Sequence, residues 1–309
     1  MTIDFTIKWQ PAYSQVMKTQ MQEFLGRVEK TSGEKLPDYH SLWRWSVDNK
    51  EAFWVKVWEY CRVIGDREGP AYLEGGRLQD DRFFPESKLN FAENLLRRRD
   101  DMAAIVFKGE DRVQRTLTYK ELYDTVSQVR QALQAAGVGV GDRVAGYLPN
   151  MPEAIIGMLA TASIGAIWSS ASPDFGVQGV LDRFGQIEPK VLFAVDGYFY
   201  NGKQVDCRDK VKEVVAKMPS LTQTVIVPYL KADLKDMGAM TFDEFKSPYK
   251  KQEIAFERFP FQHPLYIMFS SGTTGIPKCI VHGAGGTLLQ HLKEHKLHCD
   301  VRKNDKVLY

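Results

Sequence analysis

The stretch Gly141–Trp168, GDRVAGYLPNMPEAIIGMLATASIGAIW, decides the fold. Val144, Ala145, Tyr147 and Leu148 make a short apolar strand, and Pro149 and Asn150 turn the chain. Pro152 stands where a helix begins, because its fixed φ suits a first turn whose N–H groups have no helical acceptor. The apolar run that follows ends at Gly165, and Ala166–Ser170 makes a second apolar strand. Strand, helix and strand in this order form a parallel β-α-β unit. Ala154–Pro173 carries no charge, but Thr161, Ser163, Ser169, Ser170, Ser172 and the internal glycines mark a buried helix entering a buried strand, not a membrane span.

The alternation continues in both directions. Upstream, AAIVFKG (103–109) and RTLTY (115–119) are strands, and Leu122, Val126, Val129 and Leu133 lie on one face of a helix. Thr118 and Glu121 form a capping box at its start, and Gly137 follows its last turn. Downstream come a helix at VQGVLDRF (177–184), the strand KVLFAV (190–195), a helix from Asp209 to Met218 and the strand TVIV (224–227). The fold class is α/β: parallel-sheet-rich layers covered on both faces. Residues 1–100 form a helical segment ahead of it. There Trp43, Trp45, Phe53, Trp54 and Trp58 cluster as core aromatics, and an irregular connection rich in glycine and proline runs from Ile64 to Lys88. KVLY (306–309) reads as the start of another buried strand, which would leave the 101–309 layer incomplete at its C-terminus.

Apolar residues make up 44% and charged residues 26%, as in soluble globular proteins. Lysine plus arginine number 41 against 39 aspartates and glutamates, interleaved along the chain, so nucleic acid is not an expected partner. The run Arg97–Arg99 reads as a solvated helix end. Cys61, Cys207, Cys279 and Cys299 are scattered without a CxxC pair, as for reduced thiols in the cytoplasm. The N-terminus lacks the apolar core of a secretory signal, and no membrane span is expected.

The chemistry concentrates in LYIMFSSGTTGIPKCIVH (265–282). An apolar strand runs into Ser270, Ser271, Gly272, Thr273, Thr274 and Gly275, and Lys278 follows. Glycines let backbone amides face a polyanion, hydroxyls add donors, and a lysine offsets phosphate charge. The spacing is not that of a Walker A loop, where four residues separate the first glycine from GK. Tyr200, Asn201, Gly202 and Lys203 read as a plain turn. His291, His295 and His298, with Cys299, share a helical face, but three ligands along two turns converge poorly on one ion, so no metal ligand is assigned. No GxSxG elbow or GxGxxG fingerprint occurs.

FSSGTTGIPK (269–278) resembles the signature loop of the acyl-adenylate-forming ligases. NFAENLL (90–96) and SLWRWSVDNKEAFWVKVWEYC (41–61) are similar to the N-terminal segment of acetyl-CoA synthetase relatives, and Gly141–Trp168 to the first motifs of their AMP-binding domain. The resemblance divides the chain into an N-terminal segment, 1–100, and an adenylate-forming (AMP-binding) domain, 101–309. It implies ATP, Mg2+ and CoA as cofactor and co-substrates. It further implies that Thr273, Thr274 and Lys278 act in catalysis, and that Ser270, Ser271, Gly272, Thr273, Thr274, Gly275 and Lys278 hold the ATP phosphates. Gly202 and Lys203 match a CoA-phosphate contact in which Tyr200 and Asn201 replace the family's arginine and first glycine. WSSASPDFGVQGVLDRFGQIEPKVLF (168–193) and IVHGAGGTLLQHLKEHKLH (280–298) are closer to the branch that activates acetoacetate than to the branch that activates acetate. Acidic, hinge and lysine motifs of the family fall outside these residues. Other short acids, transfer to a carrier protein, or nucleotide binding without turnover are the alternatives.

Overall fold

A computed structural model describes residues 9–110, 113–270 and 275–308, so the expected phosphate ligands Ser271, Gly272, Thr273 and Thr274 lie outside the described residues. The chain forms two compact units, one made of residues 1–63, 67–86 and 286–309, the other of residues 64–66 and 87–285.

In the first unit, α1 (Gln20–Ser32), α2 (Tyr39–Asp48) and α3 (Lys50–Cys61) have ends fixed by local chemistry. The Thr19 and Asp38 side chains accept from the Gln22 and Ser41 amides, and Gly33 closes α1 at φ 76°. Phe24, Leu25, Val28, Leu42, Trp45, Val57 and Trp58 are buried, with Trp58 against Phe84 at 5.1 Å between ring centres. Trp43 departs from the expected aromatic core and is 49% exposed, because two residues along a helix from Trp45 is the opposite side. Lys306–Leu308 also departs from expectation. No strand forms there and Leu308 is 97% exposed, since an extended segment without a neighbouring ladder has nothing to pair with.

The second unit begins with α4 (Phe91–Leu95) and the hairpin β1 (Ala103–Gly109) and β2 (Val113–Thr118). Among the described residues these strands pair only with each other, antiparallel, and do not join the main sheet. The arginine run follows α4 as expected: Arg98 and Arg99 stack over Tyr119 and Tyr123, and Arg98 pairs with Asp100. Then come α5 (Tyr119–Ala135), β3 (Arg143–Tyr147), α6 (Pro152–Ser163), β4 (Ile167–Ala171), α7 (Val177–Ile187) and β5 (Val191–Val195). A hairpin of β6 (Gly197–Tyr200) and β7 (Lys203–Asp206) leads to α8 (Arg208–Ala216) and β8 (Gln223–Val227). The unit closes with β9 (Met240–Thr241), α9 (Phe242–Lys246), β10 (Pro264–Phe269), β11 (Cys279–Gly283) and the start of α10 (Ala284–Lys293). The expected capping box of Thr118 and Glu121 is formed, and Gly137 takes φ 80° after α5.

The main sheet has the order β9-β8-β5-β3-β4-β10-β11, parallel throughout except for the antiparallel β10–β11 pair. All five residues of β5 are buried, which requires cover on both faces. One packed set of helices is α4, α5, α6 and α9; the other is α7 with α8. The chain leaves β3 through α6 to reach β4, then leaves β4 through α7 and crosses back past β3 to β5. This reversal opens a crevice at the C-terminal strand ends.

Trp168 on β4 shows why glycine stands at two neighbouring positions. A Cβ at Gly146 would meet the indole at 2.7 Å, and one at Gly157 would meet it at 2.9 Å. Gly157→Val is therefore expected to cost about 1–3 kcal/mol through overpacking. A thermal unfolding curve superimposable on that of the parent chain would refute this.

Candidate active site

A cavity of about 690 Å³ lies at the C-terminal ends of β3, β4 and β10. Its walls include Leu148 and Asn150 after β3, Trp168, Ser170 and Ser172 on and after β4, and Met268 and Phe269 at the end of β10. The Ser169 hydroxyl donates to the Ile267 carbonyl at 2.8 Å and ties β4 to β10 behind it.

The loop after β4 is held from three elements. Buried Tyr147 donates its hydroxyl to the carbonyls of Phe175 and, at 3.3 Å, Pro173. Lys210 of α8 donates to Pro173 O at 2.8 Å. Tyr198 of β6 donates to the Asp174 carboxylate, which also accepts from Ser172 at 2.9 Å. These two hydroxyls, Tyr198 first, hold the Asp174 carboxyl below its usual range despite some burial.

Burial pushes the Tyr147 phenol up to about 12, with the Cys207 thiol and Asp174 adding to it. An unfolded tyrosine titrates near pH 10, so the fold favours the protonated form. Its contribution is fully present below about pH 10 and is lost as pH rises towards about 12. Stability should fall across that window. Tyr147→Phe should flatten the slope and cost about 1–2 kcal/mol at neutral pH. Urea midpoints of both proteins against pH check this, and identical alkaline slopes would refute it.

The loop expected to bind phosphate leaves β10 beside the cavity. The Ser270 amide donates to Lys278 O at 3.1 Å, which draws the two ends of the loop together. Gly275 has φ 102°, a backbone conformation in which side chains are strained. Lys278 is exposed, and Gln186 of α7 donates to Pro277 O at 2.8 Å. The sequence reading missed β11, which follows the loop directly. Ile280 and Val281 gave a β-branched signal for it, and the loop therefore joins two antiparallel strands.

Gly202 and Lys203 lie elsewhere, at the β6–β7 turn, and do not line the cavity. Asn201 and Gly202 have φ 48° and 72°, as a two-residue hairpin turn demands. Their amides donate to the two oxygens of the Glu110 carboxylate at 2.6 and 3.1 Å.

Among the described residues no group of three or more His, Cys, Asp or Glu side chains could hold a metal ion. The His291 and His295 rings lie 6.2 Å apart and His298 meets Tyr39 edge-on. No helix among the described residues is long and apolar enough to cross a membrane. Cys61 and Cys207 are buried, Cys279 and Cys299 exposed, and none is in a disulfide.

The description "AMP-binding enzyme" fits residues 91–309, most of the chain. The chain belongs to that family. It is 52% identical over 305 residues to an acetoacetyl-coenzyme A synthetase of Rhizobium meliloti (strain 1021), covering 97% of this chain and 47% of that protein. An acetoacetyl-CoA synthetase of Gallus gallus is 41% identical over 315 residues, covering 98% of this chain and 47% of that protein. The solved structure of an acetoacetyl-CoA synthetase from Streptomyces lividans superposes with a TM-score of 0.90 at 38% identity, over 96% of this chain and 46% of that one. The chain thus spans about half the length of the relatives it matches, and its α/β fold is that of the corresponding part of that structure.

Within this AMP-binding family member, the structure brings Ser270, Gly275 and Lys278 to one loop beside the cavity, apart from Gly202 and Lys203. The reading of sequence missed Tyr147, Lys210 and Tyr198, whose partners are remote in the chain. It also missed Arg183 on the cavity wall.

Proposed function

We propose that this protein is an ATP-dependent acid–thiol ligase that activates acetoacetate as its acyl-adenylate and transfers the acyl group to CoA, releasing pyrophosphate and AMP. The carrying observation is the loop from Ser270 to Lys278, closed at its ends and gripped by α7 beside the crevice of a parallel sheet. The similarity to acetoacetyl-CoA synthetases supports the choice of acid. Residues 1–100 are read as an N-terminal segment and 101–309 as the adenylate-forming domain. The scattered thiols fit a cytoplasmic setting.

A carboxylate oxygen of acetoacetate attacks the α-phosphorus of ATP and the bond to pyrophosphate breaks. The CoA sulfur then attacks the acyl carbon, and AMP leaves with the bonding electron pair. Two anions must meet in the first step, so neutralising charge is the chief demand. The Thr273 and Thr274 hydroxyls and the Gly272 and Gly275 amides hold the β and γ phosphates, Ser270 and Ser271 shape the loop, and Lys278 offsets charge growing on pyrophosphate. Magnesium would arrive with the nucleotide and shield its phosphates; no described residue is assigned to it. At the β6–β7 turn a CoA phosphate would have to displace Glu110 from the Gly202 amide, with Lys203 exposed beside it.

The test is ATP/pyrophosphate exchange by the full-length protein with acetoacetate, acetate, propionate and 3-hydroxybutyrate in parallel. Fastest exchange with acetoacetate is expected. Preference for another acid would overturn the substrate, and nucleotide binding without exchange would overturn the ligase.

A further inference from the structure

Arg183 is the one charged side chain among the described residues lining the cavity. Its guanidinium lies 4.2 Å from the Phe175 ring centre, and Nη1 donates to Gly179 O one turn back along α7 at 2.7 Å. These contacts hold the planar group without cancelling its charge. The acids nearest in sequence are engaged elsewhere: Asp174 with Tyr198 and Ser172, and Asp182 with Gln178 at 2.6 Å. A half-buried cation kept away from carboxylates carries a desolvation cost that an anionic ligand would offset.

The position of Arg183 along α7 says which anion. Gln186, three residues on, shares its helix face. Gln186 grips Pro277 O at 2.8 Å and contacts the Cys279 thiol at 3.6 Å. The face of α7 that carries Arg183 is thus the face on which the Lys278 end of the phosphate loop rests. A guanidinium stacked on an aromatic ring keeps its remaining N–H edge in a fixed plane, which suits two phosphoryl oxygens better than a lysine's point charge does.

We infer that Arg183 binds a phosphoryl group of the ligand in this cavity, on a platform supplied by Phe175. The inference rests on reading the cavity as the nucleotide-bearing site. The clamp of Tyr147, Lys210 and Tyr198 then gains a role, because it fixes the loop that carries Phe175. Tyr147 accordingly positions Arg183 through that loop.

The test uses the full-length protein with Arg183→Gln and Arg183→Lys. Pyrophosphate binding by titration calorimetry is the readout independent of turnover; KM values for ATP, CoA and the acid are measured separately. Arg183→Gln should weaken pyrophosphate binding about tenfold or more, the equivalent of one charge-assisted hydrogen bond. Arg183→Lys should recover part of that loss, with thermal midpoints close to the parent. A rise in KM confined to ATP assigns the phosphoryl group to the nucleotide, and one confined to CoA assigns it to the thiol substrate. Equal pyrophosphate affinity in parent and both variants, or a KM rise confined to the acid, overturns the inference. If the parent activates no short acid yet binds pyrophosphate and Arg183→Gln does not, the site stands and the proposed reaction falls.

Discussion

Replacing Lys278 with methionine in the full-length protein is expected to slow acetoacetate-dependent pyrophosphate exchange by about 10²–10³-fold, the scale for losing one preorganised group that meets developing charge. Methionine keeps the length and apolar stem of lysine and removes the cation. The backbone should tolerate the change, because the Lys278 carbonyl, not its side chain, accepts from the Ser270 amide and closes the loop. The side chain is exposed and makes no salt bridge with a described residue, so stability should hold while turnover falls. The effect should appear mainly in kcat, since charge on pyrophosphate grows as the bond to the α-phosphorus breaks. Lys278→Arg should retain part of the rate. Exchange within a few-fold of the parent for Lys278→Met would remove Lys278 from the reaction.

The largest expected effect on stability comes from Arg115→Ala. Arg115 of β2 meets Glu153, in the first turn of α6, through two hydrogen bonds of 2.6 and 2.8 Å. The Glu153 side chain is 7% exposed and that of Arg115 36%. The hydrogen bonds to Glu153 raise the Arg115 pKa above its usual value, outweighing partial burial. Removing the guanidinium would strand a carboxylate where water scarcely reaches, at a cost of about 3 kcal/mol, the low end for a buried pair because Arg115 is partly hydrated. The double variant Arg115→Met, Glu153→Leu leaves no orphan charge and should be closer to the parent than Arg115→Ala. Urea unfolding of the variants decides the matter. A cost below about 1 kcal/mol for Arg115→Ala would place the pair with ordinary surface bridges. The pair also anchors the β1–β2 hairpin to α6. Glu110 and the Phe107–Tyr229 ring contact at 6.2 Å supply further attachment.

Much of the architecture is legible from local pattern. Strand, helix and strand across Gly141–Trp168 follow from runs of apolar residues broken at Pro149, Pro152 and Gly165. The ends of α5 follow from Thr118, Glu121 and Gly137. The loop from Ser270 to Lys278 is legible for the same reason, since its glycines, hydroxyls and lysine are consecutive. Where the reading failed, the missing information was not local. AAIVFKG looks like any sheet strand, and only its pairing with β2 keeps it out of the main sheet. KVLY has strand composition, but composition cannot supply a neighbour. Trp43 belongs to the same aromatic cluster as Trp45, and the phase of α2 separates them.

By itself the sequence determined that this chain is α/β, that α5 is capped where it is, and that a loop of glycines, hydroxyls and a lysine follows an apolar strand, because each depends on residues within a turn or two of one another. The tertiary structure alone decided that β3 lies between β4 and β5, and so where the crevice opens. It alone placed Ser169 against Ile267, 98 residues away, turned Asp174 towards Tyr198, and left Arg183 on the cavity wall beside the loop gripped by Gln186. Such pairings are chosen by which buried surfaces and backbone groups satisfy one another across the folded chain, and neither apolar periodicity nor motif spacing records that choice.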